Sequence, residues 1–163
     1  TDTPGHAKLE LGGAYGFLSE GGPGASPMLF NSLQEVIPAD KLWPINFEWD
    51  WHCGNQAGLF GNLRFFTPPM NARYGEASSA REYAAKAQLA AYESHRAMFE
   101  AYGRNKYTST GVVQWMLNSA APSNMWNLYD PQCDLEARRG VAVPAVCLEV
   151  ALVLLVSWNR SQP

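Results

Sequence analysis

Between Ser79 and Tyr102 the chain runs without a glycine or proline, and this stretch constrains the fold more than any other. It opens on Ser79-Ala80-Arg81-Glu82, a capping box in which Ser79 accepts from the first turn and Glu82 reaches back. The residues that follow, YAAKAQLAAYESHRAMFEAY, are strong helix formers, and Gly103 is a natural stop. A helix is therefore predicted over 80–102. Tyr83, Ala87, Ala90, Ser94, Ala97 and Ala101 fall on one stripe, small enough to let the helix lie close on a sheet.

Gly-flanked apolar runs stand on either side of that helix. Residues 12–20 (GGAYGFLSE) read as a short buried strand ending in Ser19-Glu20, broken by Gly21-Gly22-Pro23-Gly24. Residues 110–118 (TGVVQWMLN) read as a second. Two strands joined by a helical crossover form a βαβ pattern, so a parallel α/β arrangement is expected. In the crossover, 29–37 (LFNSLQEVI) has helical spacing and stops at Pro38. From Trp43 to Pro69 the text is irregular and rich in aromatics, Gly and Asn, with Pro68-Pro69 read as a stop. A connection this long is usually functional. Beyond it, 119–140 is polar and loop-like, whereas 141–158 (VAVPAVCLEVALVLLVSW) is almost wholly apolar. That run is near the lower limit for a membrane span, but Pro144 and Glu149 interrupt it, so a packed helix or strand is expected instead.

Charge and cysteines narrow the function classes. A net charge of −3 with no Lys/Arg run gives no footprint for nucleic acid. Cys53, Cys133 and Cys147 form no CxxC pair and no zinc spacing, so neither a disulfide framework nor a metal site is indicated. Asp50-Trp51-His52-Cys53 places adjacent side chains on one loop, which rarely chelate together, so a structural His and a quiet thiol are expected. Glu93 and Glu100 suit ion pairs on helix faces, and His95 a surface or packing role. Thr1 to His6 shows no basic region leading into an apolar one, so no signal peptide is visible.

In parallel α/β barrels the chemistry sits where strands end. The first strand ends at Glu20 beside a Gly-rich loop, and the second at Gln114, Trp115 and Asn118. A carboxylate facing an aromatic ring suits a retaining glycosidase, in which one carboxylate attacks the anomeric carbon and a second, about 5 Å away, protonates the leaving oxygen. Taken alone, a Glu after a strand is more commonly a solvated turn residue or a helix-dipole partner. Six Trp and seven Tyr supply rings for stacking on sugar faces, or for filling a core. Trp43, Trp51, Glu48 and Asp50, all in the aromatic connection, are candidates for substrate contact.

Four blocks in order, GAYGFLSEGGPG, IPADKLWPIN, KAQLAAYESHRAMFEAYGRNKY and TGVVQWMLNSAAPSNMWNLYD, resemble the catalytic barrel of glycoside hydrolase family 2. The similar branch is that of exo-β-glucosaminidases and mannosylglycoprotein endo-β-mannosidases. The likeness covers about residues 12–130. It implies the C-terminal portion of a (β/α)8 TIM barrel, an incomplete barrel holding the seventh and eighth strands with their intervening helices. It implies Glu20 as nucleophile, matching the family's Ser-Glu strand end, and Trp115 in the sugar subsite, matching its QWMLN pattern. It implies no cofactor, a carbohydrate substrate, a secreted or periplasmic parent enzyme, and the rest of that barrel as partner. The general acid would lie upstream of Thr1, so the chain alone is expected to be inactive. Ala121 stands where the family carries a second Trp. The resemblance stops after Asp130, which divides the chain into a partial barrel, 1–130, and a divergent apolar tail, 131–163. A shifted reading frame would produce such a break. The other reading is a non-catalytic remnant that binds sugar or serves a structural role.

Overall fold

The computed structural model describes residues 13–54, 58 and 60–129. The apolar run 141–158, Cys133 and Cys147 lie outside the described residues. Strand β1 (Gly16–Gly21) is followed by α1 (Phe30–Val36), a 3-10 turn (Ala39–Lys41), α2 (Phe47–Trp51), α3 (Thr67–Tyr74), α4 (Ala80–Arg104) and strand β2 (Ser109–Gln114). β1 and β2 pair in parallel with Phe17 opposite Gly111, Leu18 opposite Val112 and Gly21 opposite Gln114. The expected strand–helix–strand order therefore holds, with both strands shorter than their apolar runs.

α4 begins where its cap residue places it. The Glu82 N–H donates to Ser79 Oγ at 3.3 Å. The Glu82 carboxylate, however, reaches one residue further back, accepting from the N–H and hydroxyl of Ser78 at 2.8 and 2.7 Å. Lys86, one turn on, binds the same carboxylate at 2.8 Å. The Lys86 hydrogen bond, then those from Ser78, hold Glu82 down at about 2. Gly103 does not end the helix, which runs to Arg104 and stops at Asn105, whose N–H donates to the carbonyls of Ala101 and Gly103. The buried stripe is Ala80, Tyr83, Ala84, Ala87, Ala91 and His95. Ser94 and Ala97 face solvent, because 80, 83–84, 87, 91 and 95 follow the helical period more closely than the stripe read from small residues alone.

Pro68 and Pro69 start a helix instead of ending a loop. Proline is tolerated in a first turn because the N–H it lacks has no partner there. The irregular connection thus carries α2 and α3, and their buried side chains join one core. Trp49, Leu33, Leu63, Met70, Tyr83 and Met125 all lie within it. Trp49 meets Tyr83 edge-on at 5.5 Å, and its indole N–H donates to the Leu42 carbonyl at 3.1 Å. Tyr83 exchanges a 2.7 Å hydrogen bond with Thr67 at the start of α3. Burial first of all pushes the Tyr83 phenol up to about 12. Glu93 and Glu100 occupy the expected helix-face positions, paired with Arg73 at 2.7 Å and Arg96 at 2.6 Å.

The sheet is less well covered than the helices. Phe17 and Val113 are 63% and 48% exposed, and Leu117, three residues beyond β2, is 58% exposed. Parallel strands are ordinarily buried on both faces, whereas the described residues leave these side chains uncovered.

Candidate active site at the strand ends

Glu20 is the penultimate residue of β1 and is exposed. The ends of the two strands are fastened together just beyond it. The Trp115 N–H donates to the Gly21 carbonyl at 2.8 Å, which sets the Trp115 backbone beside the end of the strand that carries Glu20; Trp115 is 47% exposed. Gln114 fixes the geometry from β2: its Nε2 donates to the carbonyls of Trp115 at 2.8 Å and Trp126 at 3.1 Å. Gly22 is required by this closeness. A Cβ there would sit 2.8 Å from Gln114 Nε2 and 2.9 Å from the Trp115 carbonyl oxygen. Gly24 is required by conformation as well, with φ +96° and the Phe60 ring 3.2 Å from where a side chain would begin.

A third segment, 124–128, crosses both strand ends. Ala25 bridges Met125 in antiparallel fashion. The Trp126 N–H donates to Gly24 at 2.9 Å, and the Met116 N–H to Trp126 at 3.0 Å. The loops after Glu20 and after Trp115 are thus laced through one strip of backbone. The long connection reaches the same strip: Phe60 meets Trp126 edge-on at 5.3 Å, and Asn124 ties it to α2. The Asn124 N–H donates to His52 at 2.7 Å, its Nδ2 to Trp49 at 3.0 Å, and its Oδ1 accepts from Met28 at 3.1 Å.

The residues singled out from sequence fall into two groups. Glu20 lies near the end of β1, and Trp115 and Asn118 follow the end of β2; Asn118 is exposed, and the neighbouring Leu117 carbonyl accepts from Tyr129 at 2.9 Å. The others lie on the connection. Trp43 is half-buried against Tyr83 at 6.2 Å. Asp50 accepts from the Leu63 N–H at 3.1 Å and so holds the connection together. Glu48 is half-buried and Trp51 is 65% exposed, both on α2. His52 contacts the Pro122 carbonyl at 3.2 Å. Burial, with Asp50 adding to it, pushes the Cys53 thiol up to about 12, which makes it a poor nucleophile. Among the described residues, no group of three His, Cys, Asp or Glu is placed to hold a metal ion.

Sequence reading does not single out Asn124, Trp126 or Phe60, because 119–140 and the connection both read as loop. The available signal was a Trp inside an otherwise polar stretch.

No family model matches the chain. Over 136 residues it is 36% identical to the exo-β-D-glucosaminidase of Amycolatopsis orientalis, covering 78% of this chain and 13% of the relative. It is 38% identical to the enzyme of that name from Streptomyces avermitilis, covering 79% and 15%. The chain is homologous to one segment of the exo-β-D-glucosaminidases. Their solved structures agree. The crystal structure of the A. orientalis exo-chitosanase CsxA superposes with a TM-score of 0.66 at 34% identity, covering 76% of this chain and 15% of that one. A CsxA variant in complex with PNP-β-D-glucosamine gives the same TM-score at 33% identity. The resemblance to family 2 glycoside hydrolases is thereby shown, and the chain spans about 13–15% of the length of the relatives it matches.

Proposed function

We propose that the described residues are the C-terminal portion of a (β/α)8 barrel, with β1 and β2 as its seventh and eighth strands, from a retaining glycosidase acting on β-linked glucosamine. The observation that carries this reading is the Glu20 carboxylate at the C-terminal end of β1, bonded through Gly21 to Trp115 at the matching end of the neighbouring parallel strand. A Glu20 carboxylate oxygen attacks the anomeric carbon as the bond to the leaving oxygen breaks. That oxygen takes its proton from a second carboxyl group in another part of the barrel, and water then hydrolyses the glycosyl-enzyme. Trp115 packs on the sugar face and Asn118 binds a hydroxyl. Trp43 and Asp50 hold together the connection that carries Glu48 and Trp51. The names of the relatives favour glucosamine over mannose. The uncovered apolar side chains of the sheet, Phe17 and Val113, and Leu117 just beyond it, are where further barrel strands would lie.

The test is a graft of residues 13–129 in place of the matching segment of the A. orientalis enzyme, assayed on an aryl β-glucosaminide. The graft should turn over, and Glu20→Ala should lower kcat on the order of 10⁴-fold or more. Azide should then restore turnover in the variant and yield a glucosaminyl azide, since the small anion fits where the carboxylate stood. Undiminished hydrolysis by Glu20→Ala would remove Glu20 from the mechanism. The 163-residue chain alone should show no turnover, because general acid help and substrate positioning are both incomplete.

A further inference from the structure

α2 turns two rings toward solvent although it has a core to bury them in. Phe47 is 62% and Trp51 65% exposed, while Trp49 between them is fully buried. Helical spacing accounts for the division. Positions 47, 48 and 51 fall within about a third of the circumference, and 49 falls on the far side. The two rings meet at 6.0 Å with planes 48° apart. A five-residue helix has little stability of its own, and this one is held from every side. Asn46 caps it, accepting from Glu48 at 2.9 Å. Trp49 is anchored to Leu42, Asp50 to Leu63, and the Trp49 carbonyl to Asn124. The rings therefore stand on a fixed mount. Glu48 shares their face, and its carboxylate has no hydrogen-bond or ion-pair partner among the described residues.

We propose that Phe47, Trp51 and Glu48 form a second carbohydrate subsite, separate from the Glu20 rim, that holds a glucosamine unit of a β-linked oligomer. The axial C–H faces of a sugar stack on the exposed rings, and the carboxylate accepts from the ammonium group at the 2-position. That pairing selects an amino sugar over a neutral one, in a chain whose net charge is −3. The mount is shared with the strand-end site. Asn124, which binds Trp49 and His52, also accepts from Met28 and from Ser26 at 2.9 Å, in the loop that leaves Glu20. The mount of the rings is thereby tied to the loop that follows the Glu20 strand. The proposal rests on the glycosidase reading only for the identity of the sugar.

The experiment titrates the full 163-residue chain with a β-1,4-linked glucosamine tetramer, following the Trp indole N–H signals by NMR and affinity by calorimetry. Cellotetraose, which lacks the amines, is the comparison. The Trp51 signal should move on addition of the tetramer. Trp51→Ala and Phe47→Ala should each weaken binding at least tenfold with unchanged far-UV circular dichroism. Glu48→Gln should weaken the glucosamine tetramer but not cellotetraose. Equal affinity in wild type and Trp51→Ala would overturn the proposal without touching Glu20. So would sedimentation as a dimer that Trp51→Ala dissociates, which would assign the rings to self-association. Loss of hydrolysis in the graft depends on Glu20 alone, so the two readings can fail separately.

Discussion

Replacing Asn124 with alanine tests the packing argument most directly, because this one side chain joins three parts of the chain. It is fully buried. Its Oδ1 satisfies the Met28 N–H at 3.1 Å, and its Nδ2 satisfies the Trp49 carbonyl at 3.0 Å. Alanine leaves the buried Met28 N–H unpaired and takes one hydrogen bond from the Trp49 carbonyl, which keeps those from the His52 N–H at 3.2 Å and the Cys53 thiol at 3.7 Å. The orphaned donor costs about 1–3 kcal/mol and the lost bond about 1 kcal/mol, so the expected loss is about 2–4 kcal/mol. Domains of this size are stable by about 5–15 kcal/mol, which makes a change of that size visible. Urea unfolding followed by Trp fluorescence should show a lower midpoint with an unchanged m-value.

Asn124→Asp separates the two bonds. It keeps an acceptor for Met28 but faces the Trp49 carbonyl with a buried charge, so it should be at least as unstable as alanine near neutral pH. Burial disfavours the charged form, and the protonated acid can donate to Trp49, so the defect should shrink as pH falls. A loss below about 0.5 kcal/mol for Asn124→Ala, typical of a surface site, would refute the assignment of this residue as the joint.

Gly22→Ala should destabilise by about 1–3 kcal/mol in the same unfolding assay, since the added Cβ meets backbone at Trp115 as well as Gln114. Cys53 and Tyr83 set an alkaline limit. Their folded values, raised to about 12 from 9.0 and 10.0, favour the protonated forms, so their contributions are complete below those unfolded values and fall away as pH climbs toward 12. In a Cys133→Ser, Cys147→Ser background, Cys53 should accordingly resist a thiol reagent at pH 8 until denaturant is added. His95 sets an acid limit. Burial lowers its value despite the Ala91 carbonyl at 2.7 Å, so stability is complete above the ordinary imidazole range and is lost as pH falls below it. His95→Gln should flatten that acid limb of the unfolding midpoint.

The elements legible in the sequence were those whose signals are local. Ser79 and Glu82 announce α4, and Gly-flanked apolar runs announce β1 and β2, because capping and backbone freedom act within a few residues. Pro68-Pro69 reads as a stop by the same local rules and instead begins α3: proline excludes helix interiors but suits helix starts, and only α3 packing on α4 selects between them. Glu20 and Trp115 could be named through family blocks in register. Their juxtaposition depends on a pairing across about 95 residues that no local pattern encodes. Asn124 is the extreme case. Its bonds reach Met28 and Trp49, 96 and 75 residues away, and Asn in a polar stretch reads as a turn.

The two sides of the structure differ in how much each holds for itself, and hydrogen exchange should show it. The helical side buries Trp49, Leu33, Leu63 and Tyr83 in one cluster with much of α4 packed on it. Among the described residues the sheet has two strands, each with one unpaired edge, and it exposes Phe17 and Val113, with Leu117 exposed just beyond β2. Opening the sheet therefore gives up little buried apolar area, whereas opening α4 gives up the core. In the 163-residue chain, peptides covering 16–21 and 109–114 should exchange orders of magnitude faster than those covering 80–92. Grafted into the A. orientalis enzyme, the same strands should slow toward the rate of the helix, because neighbouring strands would pair both edges and cover the three side chains. Strand amides in the isolated chain as protected as those of α4 would show the sheet to be self-sufficient, and would remove the argument that these faces belong against the rest of a barrel.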